Sequence, residues 1–129
     1  MKITLKQLRR AKACEDQCLL FAEKFGDSVD VTPELCESVA PIFNFEFAAY
    51  SFLTDTARAE HDRIRATAWA EYERIEASAM AKYARIRYER LEASAIAKYV
   101  RIRTRAWAEY ERVIARAFAL AYNSQEDGT

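Results

Sequence analysis

Ala68-Trp-Ala-Glu-Tyr-Glu-Arg-Ile75-Glu-Ala-Ser78 returns eleven residues later as Ala79-Met-Ala-Lys-Tyr-Ala-Arg-Ile86-Arg-Tyr-Glu89. A degenerate copy precedes it, Ala57-Arg-Ala-Glu-His-Asp-Arg-Ile64-Arg-Ala-Thr67. Five extra residues, Arg90-Leu-Glu-Ala-Ser94, then interrupt the pattern. It resumes as Ala95-Ile-Ala-Lys-Tyr-Val-Arg-Ile102 and Ala106-Trp-Ala-Glu-Tyr-Glu-Arg-Val113, and closes with Ala117-Phe-Ala-Leu-Ala-Tyr122. An eleven-residue period is 3.67 residues per turn, close to a straight α-helix. Glu60–Arg63, Glu71–Arg74 and Glu109–Arg112 fall at i,i+3 with the acid first, the supportive order on a helix.

The fold class follows. Only Gly26, Gly128, Pro33 and Pro41 punctuate the 129 residues, and none lies between Ile42 and Asp127. A sandwich, a barrel or a Gly-rich nucleotide fold needs more turns than this. The spacing predicts an all-α protein: an N-terminal helical module over 1–54, a repeat region over 55–122 and a disordered tail over 123–129. Unbroken, the repeat would form a rod of about 100 Å. The five surplus residues rotate the apolar seam by roughly 130°, which leaves two architectures open. Either one continuous helix switches its sticky face, or the chain bends near 88–94 into a hairpin of two mutually burying helices. The seam itself is Ile64, Ile75 and Ile86, Ala68 and Ala79, Tyr72 and Tyr83. Trp69 and Met80 stand to one side of it, a breadth suited to more than one neighbour.

The first 54 residues carry ordinary punctuation. Thr4 is placed to cap a helix with Leu5 and Leu8. Cys14, Cys18, Leu19, Phe21, Ala22 and Phe25 recur at helical spacing up to Gly26, and Val29–Val31 reads as a brief extended link. Thr32-Pro33-Glu34 is a helix start of hydroxyl cap, proline and acid. Asn44 is placed to cap the segment with Phe45, Phe47, Tyr50 and Phe52.

Twenty Lys and Arg balance twenty Asp and Glu, but unevenly. Residues 1–54 hold six basic and eight acidic side chains, whereas 55–122 hold fourteen and ten. The stretch from Lys82 to Arg105 has eight basic residues against Glu89 and Glu92. On a continuous helix Arg87, Arg90, Lys98, Arg101 and Arg105 share a face. That ladder, with Trp69, Trp107, Tyr83 and Tyr99 as contact residues, is the candidate partner-binding set. Read by itself the ladder, interrupted by Glu109, is first a solvated polar face, because a net charge of zero is far from the strongly basic balance of dedicated nucleic-acid domains; an acidic protein surface is the other partner it would attract.

Chemistry finds little footing. A Cys3His set of Cys14, Cys18, Cys36 and His61 lacks the loops of a zinc knuckle, and cysteines among leucine and phenylalanine behave as small hydrophobes. His61 occupies the repeat position that tyrosine holds in later copies, and carboxylates at i,i+2 on a helix diverge. No enzyme, metal site or cofactor is expected. No apolar run is long enough for a membrane span, and Met1–Lys6 lacks a signal-peptide core. The expectation is a cytoplasmic protein with reduced thiols.

The run Leu5-Lys-Gln-Leu8, Ala13-Cys-Glu-Asp-Gln17, Phe25-Gly26, Val31-Thr32 and Glu34-Leu35-Cys36, followed by the Ala-x-Ala-Glu-Tyr-Glu-Arg-Ile copies, resembles small phage and prophage proteins to which no catalytic residue is assigned. The resemblance spans nearly the whole chain and marks lineage rather than chemistry. It implies a variable copy number of the repeat and a glycine where Lys12 stands. It also implies a protein that acts in the host cell by binding a host or defence protein, a CRISPR complex among them. A self-assembling coiled-coil component is the alternative, and nucleic-acid binding a weaker one.

Overall fold

The computed structural model describes the backbone of residues 1–88 and 92–127 and the side chains of residues 1–85 and 94–125. The chain opens with a short strand, β1 (Lys2–Thr4), then α1 (Leu5–Arg10) and α2 (Glu15–Phe25). Strand β2 (Ser28–Asp30), α3 (Pro33–Ser38) and α4 (Phe45–Phe52) complete the N-terminal module. Two long helices follow, α5 (Asp55–Tyr88) and α6 (Glu92–Asp127). The fold is all-α apart from one small two-stranded sheet.

Local chemistry accounts for the boundaries. The Thr4 hydroxyl accepts from the Gln7 amide, and the Gln7 side chain returns to the Thr4 amide at 2.8 Å, which is a capping box. Thr32 accepts from the Leu35 amide with Pro33 at the first turn, and Asn44 accepts from the Phe47 amide. At the end of α2, Gly26 takes φ +73°, a left-handed angle that a side chain would disfavour. The Thr54 hydroxyl receives the Ala57 amide at the head of α5. The Arg58 guanidinium donates to the Tyr50 and Leu53 carbonyls, closing the C-terminal turn of α4. The link around Val29 is more than extended: β1 pairs antiparallel with β2, Ile3 opposite Val29.

The repeat region folds back on itself. Trp69 of α5 lies 6.1 Å from Trp107 of α6, and Tyr83 lies 5.8 Å from Tyr99 (ring centroids). As positions rise along α5 their partners fall along α6, so the helices are antiparallel and the hairpin is the architecture adopted. The physical reason is burial: the seam residues Ala57, His61 and Ala79 of α5 and Ala95, Ala106 and Tyr110 of α6 are all buried. A lone rod would leave that seam in water.

Two boundary expectations need correction. The core is not divided at residue 54, because the last third of α6 forms the floor of the N-terminal module. Ala115 and Ala119 are 0 % exposed and Phe118 1 %, packed among Phe21, Val31, Cys36, Phe45, Ala49 and Leu53. The alanines allow close approach, and Phe118 meets the Phe45 ring at 5.7 Å. Burying Phe118 alone is worth roughly 2–3 kcal/mol. The segment expected to be a disordered tail is helical as far as Asp127. Asn123 donates to the Val31 carbonyl at 2.8 Å and Gln125 to the Phe52 carbonyl at 3.2 Å. Polar side chains that read as tail composition instead tie α6 to the module.

Candidate interaction surface on the distal hairpin

The module covers only the end of the hairpin near its termini. Trp107 borders a groove shared with Pro41, Ile42, Phe43 and Asn44. Among the described residues beyond Trp69 and Trp107, the ring contacts of the two helices are with each other, and this distal stretch forms an arm. At 1.5 Å per residue the arm is about 30 Å long.

Its inner seam is aromatic. Trp69, Tyr72, Trp107 and Tyr110 form one cluster with every pair of ring centroids between 5.1 and 6.4 Å, and Tyr83 with Tyr99 forms a second contact nearer the tip. The tyrosine hydroxyls are used as well. Tyr110 donates to Glu46 at 3.1 Å, and Tyr72 donates to Glu76. That bond to the Glu76 carboxylate, with burial added, pushes the Tyr72 phenol up to about 12. The four aromatic residues expected to meet a partner therefore meet one another first. Trp69 and Trp107 nevertheless remain 41 % exposed each.

The two broad sides of the arm differ. On one side, Ile96, Val100, Arg103 and Trp107 of α6 fall within about 60° of one another at 100° per residue. Trp69 and Met80 of α5 join them across the hairpin, Trp69 through its contact with Trp107, and Glu73 and Glu76 stand in the same row of α5, so with Arg103 this side mixes apolar and charged groups. Met80 is 49 % exposed, Val100 46 % and Ile96 44 %. The opposite side is charged. There Glu71–Arg74 and Glu109–Arg112 are ion-paired rungs, with N–O distances of 2.6 and 2.5 Å, and Glu60–Arg63 repeats the pattern nearer the module. One repeat closer to the tip, lysine replaces the glutamate. The corresponding rungs are Lys82–Arg85 on α5 and Lys98–Arg101 on α6, with Arg105 in the same row. All five are exposed, and no ion pair is made by them among the described residues.

The hairpin also alters the expected ladder. Lys98, Arg101 and Arg105 do share a face, on α6. Arg87 belongs to α5 and its side chain lies outside the described residues, as does Arg90 altogether. A single five-residue row on one helix does not exist, because the fold-back separates its members. Sequence reading passed over Lys82 and Arg85, although the Glu-to-Lys change within the repeat was there to find them.

The remaining chemistry-bearing groups are structural in their surroundings. Cys18 and Cys36 are buried, and burial pushes the Cys36 thiol up to about 12, so it stays protonated. Cys14, read as a buried small hydrophobe, is exposed because α2 begins one residue later and leaves it at the N-cap. His61 is 1 % exposed, inside the hairpin. Among the described residues no cluster of three or more His, Cys, Asp or Glu is placed to hold a metal. No helix among them is long and apolar enough to cross a membrane. Comparison with protein-family models, with curated proteins and with solved structures finds no match.

Proposed function

We propose that the protein is a non-enzymatic binding protein whose distal hairpin arm docks, through its basic side, on an acidic surface of a host or defence protein. One observation carries this reading: toward the tip the Glu–Arg rungs give way to the double-positive rungs Lys82–Arg85 and Lys98–Arg101. Paired rungs cancel their own field, whereas unpaired ones project it. Four like charges on a narrow arm raise the local potential and speed encounter with an opposite surface. The module acts as the base that holds the arm. The resemblance to small phage proteins supplies the class of partner, a bacterial defence complex such as a CRISPR nuclease assembly, and with it a place in the host cytoplasm.

The test is a plating assay. Producing the chain in a bacterium with an active CRISPR system is expected to raise the plating efficiency of a targeted phage. The variant Lys82→Glu/Arg85→Glu/Lys98→Glu/Arg101→Glu is expected to abolish that rise while keeping the helical circular dichroism. Equal plating with and without the protein overturns the choice of partner. Full protection by the charge-reversed variant overturns the choice of surface.

A further inference from the structure

Seven phenylalanines occur in the chain, and all seven line one cavity inside the N-terminal module. Its floor is core: Phe21, Phe45 and Phe118 are buried, the last of them from α6. Phe21, Phe25 and Phe43 lie 5.2 to 6.5 Å apart by ring centroids, and Phe45 meets Phe118 at 5.7 Å. Phe25, Leu35, Val39 and Phe43 are only partly buried, which gives the cavity a rim at the surface. The space is about 80 Å³, where roughly 10–15 Å³ would hold one water. Its walls nevertheless suit water badly. No charged residue lines the cavity, and its two side-chain amides are tied to the backbone. Gln17 donates to the Ile42 carbonyl and accepts from the Asn44 amide, while Asn44 accepts from the Phe47 amide. The Cys36 thiol, also in the wall, is kept protonated by burial. Walls this apolar leave a water short of the roughly two to four polar partners it needs.

We propose that this cavity is a binding site for one small apolar molecule, of about three or four carbon atoms. Its size sets the limit. A cavity of about 150 Å³ walled by Leu, Ile and Phe stays dry and takes a benzene ring, and this one has roughly half that space. Its chemistry sets the class. Ring faces and aliphatic walls offer dispersion contacts and no hydrogen bond, so a polar guest would lose its hydration with nothing in return. Unfilled, the wall atoms lack partners on one side, and an apolar guest supplies them. The guest would touch α2, α3, α4 and Phe118 of α6 together, and so fasten the module to the base of the hairpin. The site lies in the module, away from the basic rungs, and stands whether or not the arm docks on a partner.

Xenon, an apolar probe that enters dry cavities of this kind, tests the site by methyl NMR on the full chain. Saturable shifts are expected at Val31, Leu35 and Val39, which line the cavity. None is expected at Val100 and Ile102, exposed on the arm. Isobutane at saturation should raise the melting temperature, because a ligand held only by the folded chain stabilises it. Ala48 also lines the cavity, and Ala48→Leu fills the space with the protein's own side chain. That variant is expected to keep its helical signal and to weaken xenon binding at least about tenfold. Absence of saturable shifts in the unsubstituted protein overturns the inference, as do shifts confined to the arm. A melting temperature that isobutane does not raise, or a xenon affinity that Ala48→Leu leaves unchanged, overturns it too. Should Ala48→Leu fail to fold, the shifts and the isobutane melt still decide.

Discussion

His61 of α5 hydrogen-bonds through Nε2 to the backbone carbonyl of Ile114 in α6, 3.1 Å away across the proximal hairpin. The carbonyl can only accept, so Nε2 carries the hydrogen. Nδ1 is buried without a partner among the described residues. Protonating the ring would bury a charge and leave a second donor unanswered. Burial therefore holds the imidazole below its ordinary value of 6.5, although the bond to the Ile114 carbonyl, Asp62 and Glu46 favour the charged form; Arg65 opposes it.

The pH dependence has a definite sign. The unfolded chain takes up the His61 proton near pH 6.5, whereas the folded chain resists it to lower pH. The contribution of neutral His61 is thus complete above that value and declines as pH falls below it. The melting temperature should drop between pH 7.5 and 5.5, and His61→Phe should flatten that part of the profile. Identical slopes for the two proteins would contradict the assignment.

Within the aromatic cluster, burial sets the order of effects. Tyr110 is 4 % exposed and touches three aromatic neighbours. Tyr110→Ala should cost about 3 to 5 kcal/mol in urea unfolding. Tyr83→Ala, at a half-buried site with one ring partner, should cost less than half as much.

The C-terminal turn is a structural tie. Removing residues 123–129 should destabilise the chain, because Asn123 serves the Val31 carbonyl and the Met1 amine while Gln125 serves Phe52 and Thr54. Asn123→Ala alone should cost about 1 to 3 kcal/mol. Calorimetry of the two variants checks both.

Lys12 has φ +63°, in the left-handed region. Its amide meets the Arg9 carbonyl, and the Ala13 amide meets that of Leu8, both at 3.1 Å, the bond pattern of a Schellman helix end. Lys12→Gly relieves the strain of a side chain there and should raise stability by up to about 1 kcal/mol. A lower melting temperature would contradict this.

Much of this architecture is legible in the sequence. Caps at Thr4, Thr32 and Asn44, the stop at Gly26 and the eleven-residue helical pattern are local, and local chemistry decides them. The fold-back is not local. No Gly, Pro or Asn marks it, and only the burial of two seams against each other selects it over a rod. The same limit hides the role of Asn123 and Gln125, whose partners lie 92 and 73 residues away. The candidate site was half visible: its aromatics and basic residues stand out in composition. That Trp69 and Lys98 serve opposite sides of one arm depends on how the two helices pair.

The proposed docking surface exists only if the repeat folds back. Spin labels at Glu71→Cys and Glu109→Cys, both exposed, in a Cys14→Ser background measure this directly. Both positions border one groove between α5 and α6. The hairpin places the two labels within about 30 Å, given helix axes 8–10 Å apart and label tethers on each side. A peak near 57 Å, the rise of 38 residues along one continuous helix, would contradict the account.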